Sequence, residues 1–174
     1  MEPGSTVAVR GLQPPLRPPA NRVSPKAVGW WRLKAAITTV VLMTPQIVLL
    51  LVFGPPVRTV LTVTAAVTVL VGVAYVLLVP PLRFRIHRWE ITDEAVYTLS
   101  GWLNREWRIA PISRVQTVDT GHGPLQQLLG LATVAVTTAS SRGTVDIAGL
   151  DAADAAEIAR MLTETTQATP GDAT

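Results

Sequence analysis

The sequence predicts a membrane α-hairpin followed by a small antiparallel β domain that ends in one helix. Three observations predict it. Residues 35–53 and 59–79 are long apolar runs without a single charge. From residue 83 onward the pattern changes to short β-like runs broken by Gly, Pro and Asp. The last such run gives way to a stretch of helical period that starts at an aspartate.

Taken in order, residues 1–29 read as a disordered, Pro/Arg-rich cytoplasmic tail. Residues 1–26 carry six prolines, several basic residues and no apolar periodicity. Its arginines can rest on anionic lipid. Between a docking role for Pro14-Pro15 or Pro18-Pro19 and an inert tail, the inert tail is favoured.

Residues 30–82 read as a two-helix transmembrane hairpin. At about 1.5 Å per residue, either apolar run reaches across a hydrocarbon core roughly 30 Å thick. Only Gly54-Pro55-Pro56-Val57-Arg58 separates the runs, so the two helices must be antiparallel neighbours. A cleaved signal peptide is not expected, because the first run begins late, is long and leads directly into a second. Length, absence of charge and basic flanks all favour a membrane pair over a buried soluble hairpin.

The flanks set a direction. Arg17, Arg22, Lys26, Arg32 and Lys34 precede the first run, Arg83, Arg85 and Arg88 follow the second, and the connecting loop has only Arg58. Basic residues near span ends stay on the cytoplasmic side. Both termini are therefore expected inside a multi-pass protein of the cell (inner, cytoplasmic) membrane. Trp30 and Trp31 fit the inner membrane interface, where an indole keeps its ring in lipid and its N–H in water. Pro45 is expected to kink the first helix, as a packing feature rather than a hinge. Gln46 is the one span residue expected to hydrogen-bond the other helix.

Residues 83–166 read as the β domain and 167–174 as a disordered C-terminus. The candidate strands are 84–92, 95–100, 103–110, 115–120, 131–138 and 144–148, separated by turn signals such as Asp93-Glu94, Gly101, Pro111 and Gly121-His122-Gly123. In 103–110, Leu103, Trp107 and Ile109 share one face, and Asn104, Glu106 and Arg108 the other. Asp151 is placed to cap a helix over 152–165, whose Ala155, Ile158, Ala159 and Leu162 line one apolar stripe. A single striped helix is suited to cover one open side of a small sheet.

Charge and composition narrow the function. Residues 1–88 hold ten Lys/Arg and one acid, and residues 89–174 hold five Arg and eleven acids. The basic pI therefore belongs to the membrane flanks, and the acidic domain would repel nucleic acid. The chain has no cysteine, which removes disulfides, thiol catalysis, lipidation at a lipobox and cysteine metal sites. His87 and His122 are the only histidines, and neither has carboxylates at ligand spacing, so no metal or cofactor is expected. Ser113, Ser140 and Ser141 lack a nucleophile context, and Gly121-His122-Gly123 lacks the residues of a phosphate loop. No catalytic residue is assigned. The spans carry no charge, so they offer no transport path, and regulation of a transporter through span contacts is the weakest idea.

The order of several short pieces resembles a known family. They are Trp89-Glu90-Ile91-Thr92, Gly101-Trp102-Leu103-Asn104-Arg105 and Ile109-Ala110-Pro111-Ile112-Ser113-Arg114-Val115-Gln116. Gly123-Pro124-Leu125-Gln126-Gln127-Leu128-Leu129-Gly130-Leu131-Ala132 and Ile147-Ala148-Gly149-Leu150 follow. In this order, after two spans, they resemble the bacterial pleckstrin-homology (PH-like) domain of the YdbS-like membrane proteins. The resemblance implies a PH-like barrel, two near-orthogonal antiparallel sheets plugged by the C-terminal helix, with no catalytic residues. It implies mostly structural roles for the motif positions, with Leu125, Leu128 and Leu129 folding onto the barrel and, for Gln116 and Gln126, structural hydrogen bonding favoured over ligand contact. It also implies, as a partner, a larger membrane protein with repeated PH modules, in a setting sometimes linked to envelope stress or bacteriocin tolerance.

Two functions follow as expectations. The first is a scaffold or interaction module at the cytoplasmic face, binding a membrane-protein partner or a second copy. The alternative is anionic-lipid headgroup binding at the juxtamembrane face, through Arg83, Arg85 and Arg88 with Arg114. The domain has no lysine, and Arg105 and Arg108 are expected on opposite faces of one strand, which argues against a strong phosphate cluster within the domain itself.

Overall fold

Apolar side chains cover the two long helices on every side, and most of them face outward. The structure, a computed structural model, describes residues 17–139 and 143–168. The expectations for residues 1–16, for Ser140, Ser141 and Arg142, and for 169–174 lie outside the described residues. Helix α1 is Lys26–Val52 and helix α2 is Val57–Ile86. Both are long and apolar enough to cross a membrane. Leu51 is 79% exposed and Leu70 71%, a surface that water would not tolerate and lipid would.

The backbone chemistry of the helices suits that setting. Thr38, Thr39, Thr44, Thr62 and Thr68 each return their hydroxyl to the carbonyl four residues earlier. These five hydroxyls are then not left to lipid, where an unpaired polar group is costly. The helices touch closely at Gly72, where a Cβ would collide with the side chain of Thr39. Helix α1 continues unbroken through Pro45. Gln46 Nε2 donates to Thr68 Oγ1 across the pair at 3.1 Å.

Helix α2 corrects one expectation. The hairpin does not end at residue 82: the helix passes through Pro80 and Pro81 and runs on to Ile86. Arg83, Phe84 and Arg85 are therefore helical instead of opening a strand. Proline's fixed φ is compatible with a helix, and basic residues in the last turn meet the negative end of its dipole.

The rest of the fold is two antiparallel sheets and two further helices. The first sheet has the order β1 (Asn21–Arg22), β2 (Arg88–Ile91), β3 (Ala95–Ser100) and β4 (Glu106–Pro111). A 3-10 turn, Ile112–Arg114, leads into the second sheet. That sheet has the order β5 (Val115–Gly121), β6 (Leu131–Thr138) and β7 (Thr144–Asp151). The short helix α3 (Pro124–Leu128) links β5 to β6, and α4 (Ala152–Ala168) closes the chain. The third expected strand starts later than its pattern suggests. Leu103 lies in the turn before β4 and is 83% exposed, so it shares no strand face with Trp107. Strand β7 extends three residues past Ala148 because β6 pairs with two of them, Ala132 with Leu150 and Leu131 with Asp151, across an irregularity at Gly149.

One core joins these layers. Val96 and Ala110 from the first sheet meet Val134, Val136, Val145 and Ile147 from the second. Ala155, Ile158 and Leu162 of α4 press into the same cluster. The apolar stripe of the sequence is thus the face that covers the sheets. This is the PH-like arrangement: two antiparallel sheets and a C-terminal helix around one core.

The segment before α1 corrects a second expectation. Residues 17–29 are not a free tail. Strand β1 pairs with β2, Asn21 opposite Trp89 and Arg22 opposite Arg88. Ser24 N–H donates to the Gly149 carbonyl at 2.9 Å. Both carboxylate oxygens of Glu90 are used, one by Arg17 at 2.7 Å and one by the Ala20 N–H at 3.0 Å. The prolines stiffen a strap instead of preventing order: Pro19 is fully buried, and Val23 and Ala27 pack with Trp31.

Candidate functional site

Of the expected residues, Arg83 and Trp31 meet at the end of the hairpin that adjoins the β domain. Helix α2 carries Arg83 and, one turn on, leads into His87. Helix α1 faces them with Trp31. The Arg83 guanidinium lies over the Trp31 ring, Cζ to centroid 4.7 Å. The His87 ring meets Trp31 edge-on with centroids 5.1 Å apart. His87 Nδ1 lies 3.1 Å from the Arg83 carbonyl, and Nε2 accepts from Arg83 Nε at 3.4 Å. This pattern needs the neutral ring, with Nδ1 donating. Burial and the nearby Arg83 charge lower the His87 pKa from 6.5 to about 4, so it stays neutral near pH 7.

A groove of about 590 Å³ opens between α1 and α2 beside this cluster. Trp31, Lys34 and Arg83 line its end next to the β domain, and Leu42, Val67 and Val71 line the part farther along the helices. Among the described residues neither Lys34 nor Arg83 makes an ion pair. Trp31 is 5% exposed, so it packs inside the protein instead of lying at the lipid interface; Trp30 beside it is half-buried.

The other expected contact residues do not converge on Arg83 in the same way. Arg85 is exposed on α2. Arg88 Nη1 donates to the Pro19 carbonyl at 3.4 Å, so its guanidinium holds the strap. Arg114 precedes β5, whose other end leads to α3, which packs near α1.

Two contacts escaped sequence reasoning. Trp102, in the β3–β4 turn, meets Tyr75 of α2 edge-on at 6.3 Å. Tyr75 is inside the apolar run 59–79, about 6 Å from its inner end at about 1.5 Å per residue. The exposed Leu103 sits beside Trp102, so the turn reaches back along the span. Lys34 was legible only as a flanking charge. Its place in the groove needs the helix phase, and no local signal gives that.

Elsewhere the polar residues do structural work. Gln126 is buried; its Oε1 accepts the Gly123 N–H and its Nε2 donates to Thr133 Oγ1, both at 2.9 Å. His122 Nδ1 lies 3.1 Å from the Leu131 carbonyl. Leu125 and Leu129 are partly buried, as the resemblance implies, but Leu128 is 79% exposed and does not fold inward. Among the described residues no group of His, Asp and Glu is arranged to hold a metal ion.

The comparisons with known proteins agree with this architecture. The family model described as "Bacterial PH domain" matches residues 33–166. The chain is similar to the transmembrane protein YdbS of Bacillus subtilis (strain 168), with 32% identity over 139 residues. That match covers 78% of this chain and 87% of the relative. No solved structure matches the chain. The matched span takes in α1 from residue 33, all of α2, strands β2 to β7 and α4 up to residue 166, so the chain belongs to the bacterial PH domain family, as a YdbS-like membrane protein.

Proposed function

We propose that the protein is a non-catalytic scaffold, a PH-like module fixed at the cytoplasmic face of the membrane that binds a membrane-protein partner or a second copy. One observation carries this reading: the domain is tied to the hairpin at several points, not tethered by a linker. Ser24 bonds Gly149, Lys26 pairs with Asp151, and β1 joins the first sheet. A domain held in one orientation to the bilayer loses less freedom when a partner in the same membrane docks on it. Both termini lie on the cytoplasmic side in this reading, which the basic flanks support.

The surface offered to the partner is β5. Among the described residues it is hydrogen-bonded within its sheet only to β6, and it exposes Gln116, Thr117, Asp119 and Thr120. A strand paired on one side can accept another strand. The test is photo-crosslinking in native membranes from Thr117, with Arg160 on the outer side of α4 as a control position. A recurrent adduct from Thr117 that is absent from Arg160 supports the reading. A protein that stays monomeric, with no recurrent neighbour from either position, overturns it.

A further inference from the structure

The geometry points to a binding site for one anionic phospholipid in the groove between α1 and α2. Its phosphate would sit between Lys34 and Arg83, and one acyl chain would lie along the groove toward Leu42. This site is separate from the partner surface on β5.

Shape comes first. The groove of about 590 Å³ has cations at one end and an apolar course beyond them. From Trp31 to Leu42 its α1 wall rises about 16 Å at about 1.5 Å per residue, which matches one leaflet of a core roughly 30 Å thick. The polar end is at the inner interface and the apolar end inside the span, which is the polarity of a phospholipid of the cytoplasmic leaflet.

Charge comes second. Neither α1 nor α2 contains an Asp or Glu, so no carboxylate on the hairpin can neutralise Lys34 and Arg83. Arg83 is fixed by stacking on Trp31 and by its Nε contact to His87. Its two terminal nitrogens have no partner among the described residues, and they are the fork that suits a phosphate. The Trp31 indole N–H is buried without a hydrogen-bond partner. A phosphate oxygen held by Arg83 comes to the neighbourhood of that donor. A zwitterionic lipid brings its own cation beside the phosphate, so it compensates Lys34 and Arg83 less than an anionic lipid does, at the edge of the hydrocarbon where uncompensated charge is costly.

The test uses the full chain purified in mild detergent. Bound lipid is read by native mass spectrometry, and the delipidated protein is titrated with phosphatidylglycerol or phosphatidylcholine while its melting temperature is followed. Phosphatidylglycerol is expected to stay bound to the wild type and to raise its melting temperature, both more strongly than phosphatidylcholine. Lys34→Gln with Arg83→Gln should weaken retention by about tenfold or more. Leu42→Trp fills the apolar end and leaves both charges in place, so it should also reduce retention even if the charge variant does not fold.

Equal retention of phosphatidylcholine, or unchanged retention in Leu42→Trp, overturns the proposal. So does a full stabilising shift from inorganic phosphate alone, which would mean a free-anion site. Cross-linking of Leu42→Cys to a second polypeptide would show that a helix, not a lipid, fills the groove. Loss of lipid that leaves the Thr117 adduct intact separates this proposal from the scaffold reading.

Discussion

Lys26, the first residue of α1, places its Nζ 2.6 Å from Oδ1 of Asp151, the last residue of β7. The pair joins the start of the first long helix to the end of the last strand. Lys26 and Ser24 both bond the Asp151 carboxylate and hold its pKa below the usual carboxylate value. The pair is largely solvated, with side-chain exposures of 58% and 33%. Such pairs contribute about 0–1 kcal/mol. The joint must therefore rest mainly on backbone and packing contacts near it.

That ranking gives the first prediction. Gly149 has φ +84°, and a Cβ there would lie 2.9 Å from the Cβ of Ala27. Gly149→Ala is strained in two ways and should cost about 1–3 kcal/mol. Lys26→Ala should cost less than about 1 kcal/mol. Thermal unfolding in detergent measures both, and limited proteolysis after residue 22 should rise in Gly149→Ala alone.

His87 gives the protein a pH dependence of known sign. Its folded pKa is about 4 against 6.5 for the free ring, so the unfolded chain binds the extra proton first. The contribution is fully present above pH 6.5 and is lost as pH falls toward 4. The full loss corresponds to about 3 kcal/mol. Unfolding free energy measured between pH 7 and 4 should show this slope, and His87→Gln should flatten it.

The β3–β4 turn should lie in the membrane interface. Trp102 contacts Tyr75 within the apolar run, and Leu103 is exposed beside it. The chain has no native cysteine, so single-cysteine labelling is clean. A polarity-sensitive dye on Leu103→Cys in anionic vesicles should emit at shorter wavelength than the same dye on Asp119→Cys. Equal emission would place the turn in water.

Gln46 should matter little to hairpin stability. Its amide nitrogen bonds Thr68 at 3.1 Å, but its Oε1 is buried without a partner. Interhelical bonds of this kind average about 0.6 kcal/mol. Gln46→Leu should therefore change hairpin stability by less than about 1 kcal/mol, and it removes an unpaired acceptor at the same time. Gly72→Leu should do more damage, because it forces α1 and α2 apart at Thr39. Intramolecular cross-linking between the two helices reads the difference.

Much of the fold was legible because its signals are local. Residues 131–138 alternate buried and less buried positions, and the strand has these bounds in the structure. Ala155, Ile158 and Leu162 recur at helical spacing and are buried at 1%, 5% and 1%. Residues 84–86 are helical against their strand-like pattern because α2 continues through Pro80 and Pro81, with Pro80 buried within it. The strap at residues 17–25 was illegible for a different reason. Its order comes from Glu90, Trp89 and Gly149, which lie far away in sequence.

The sequence by itself determined the two apolar helices, the sheets and the closing helix, together with the family. Each of these depends on period, length or local turn chemistry, which a chain carries along its own line. Tertiary structure alone decided which charges share a place. It brought Lys34 from one helix to Arg83 on the other and set Arg83 over Trp31. It also kept Arg114 at the far end of β5. Convergence of this kind depends on helix phase and on the joint between hairpin and domain, and both are set by packing between segments distant in sequence.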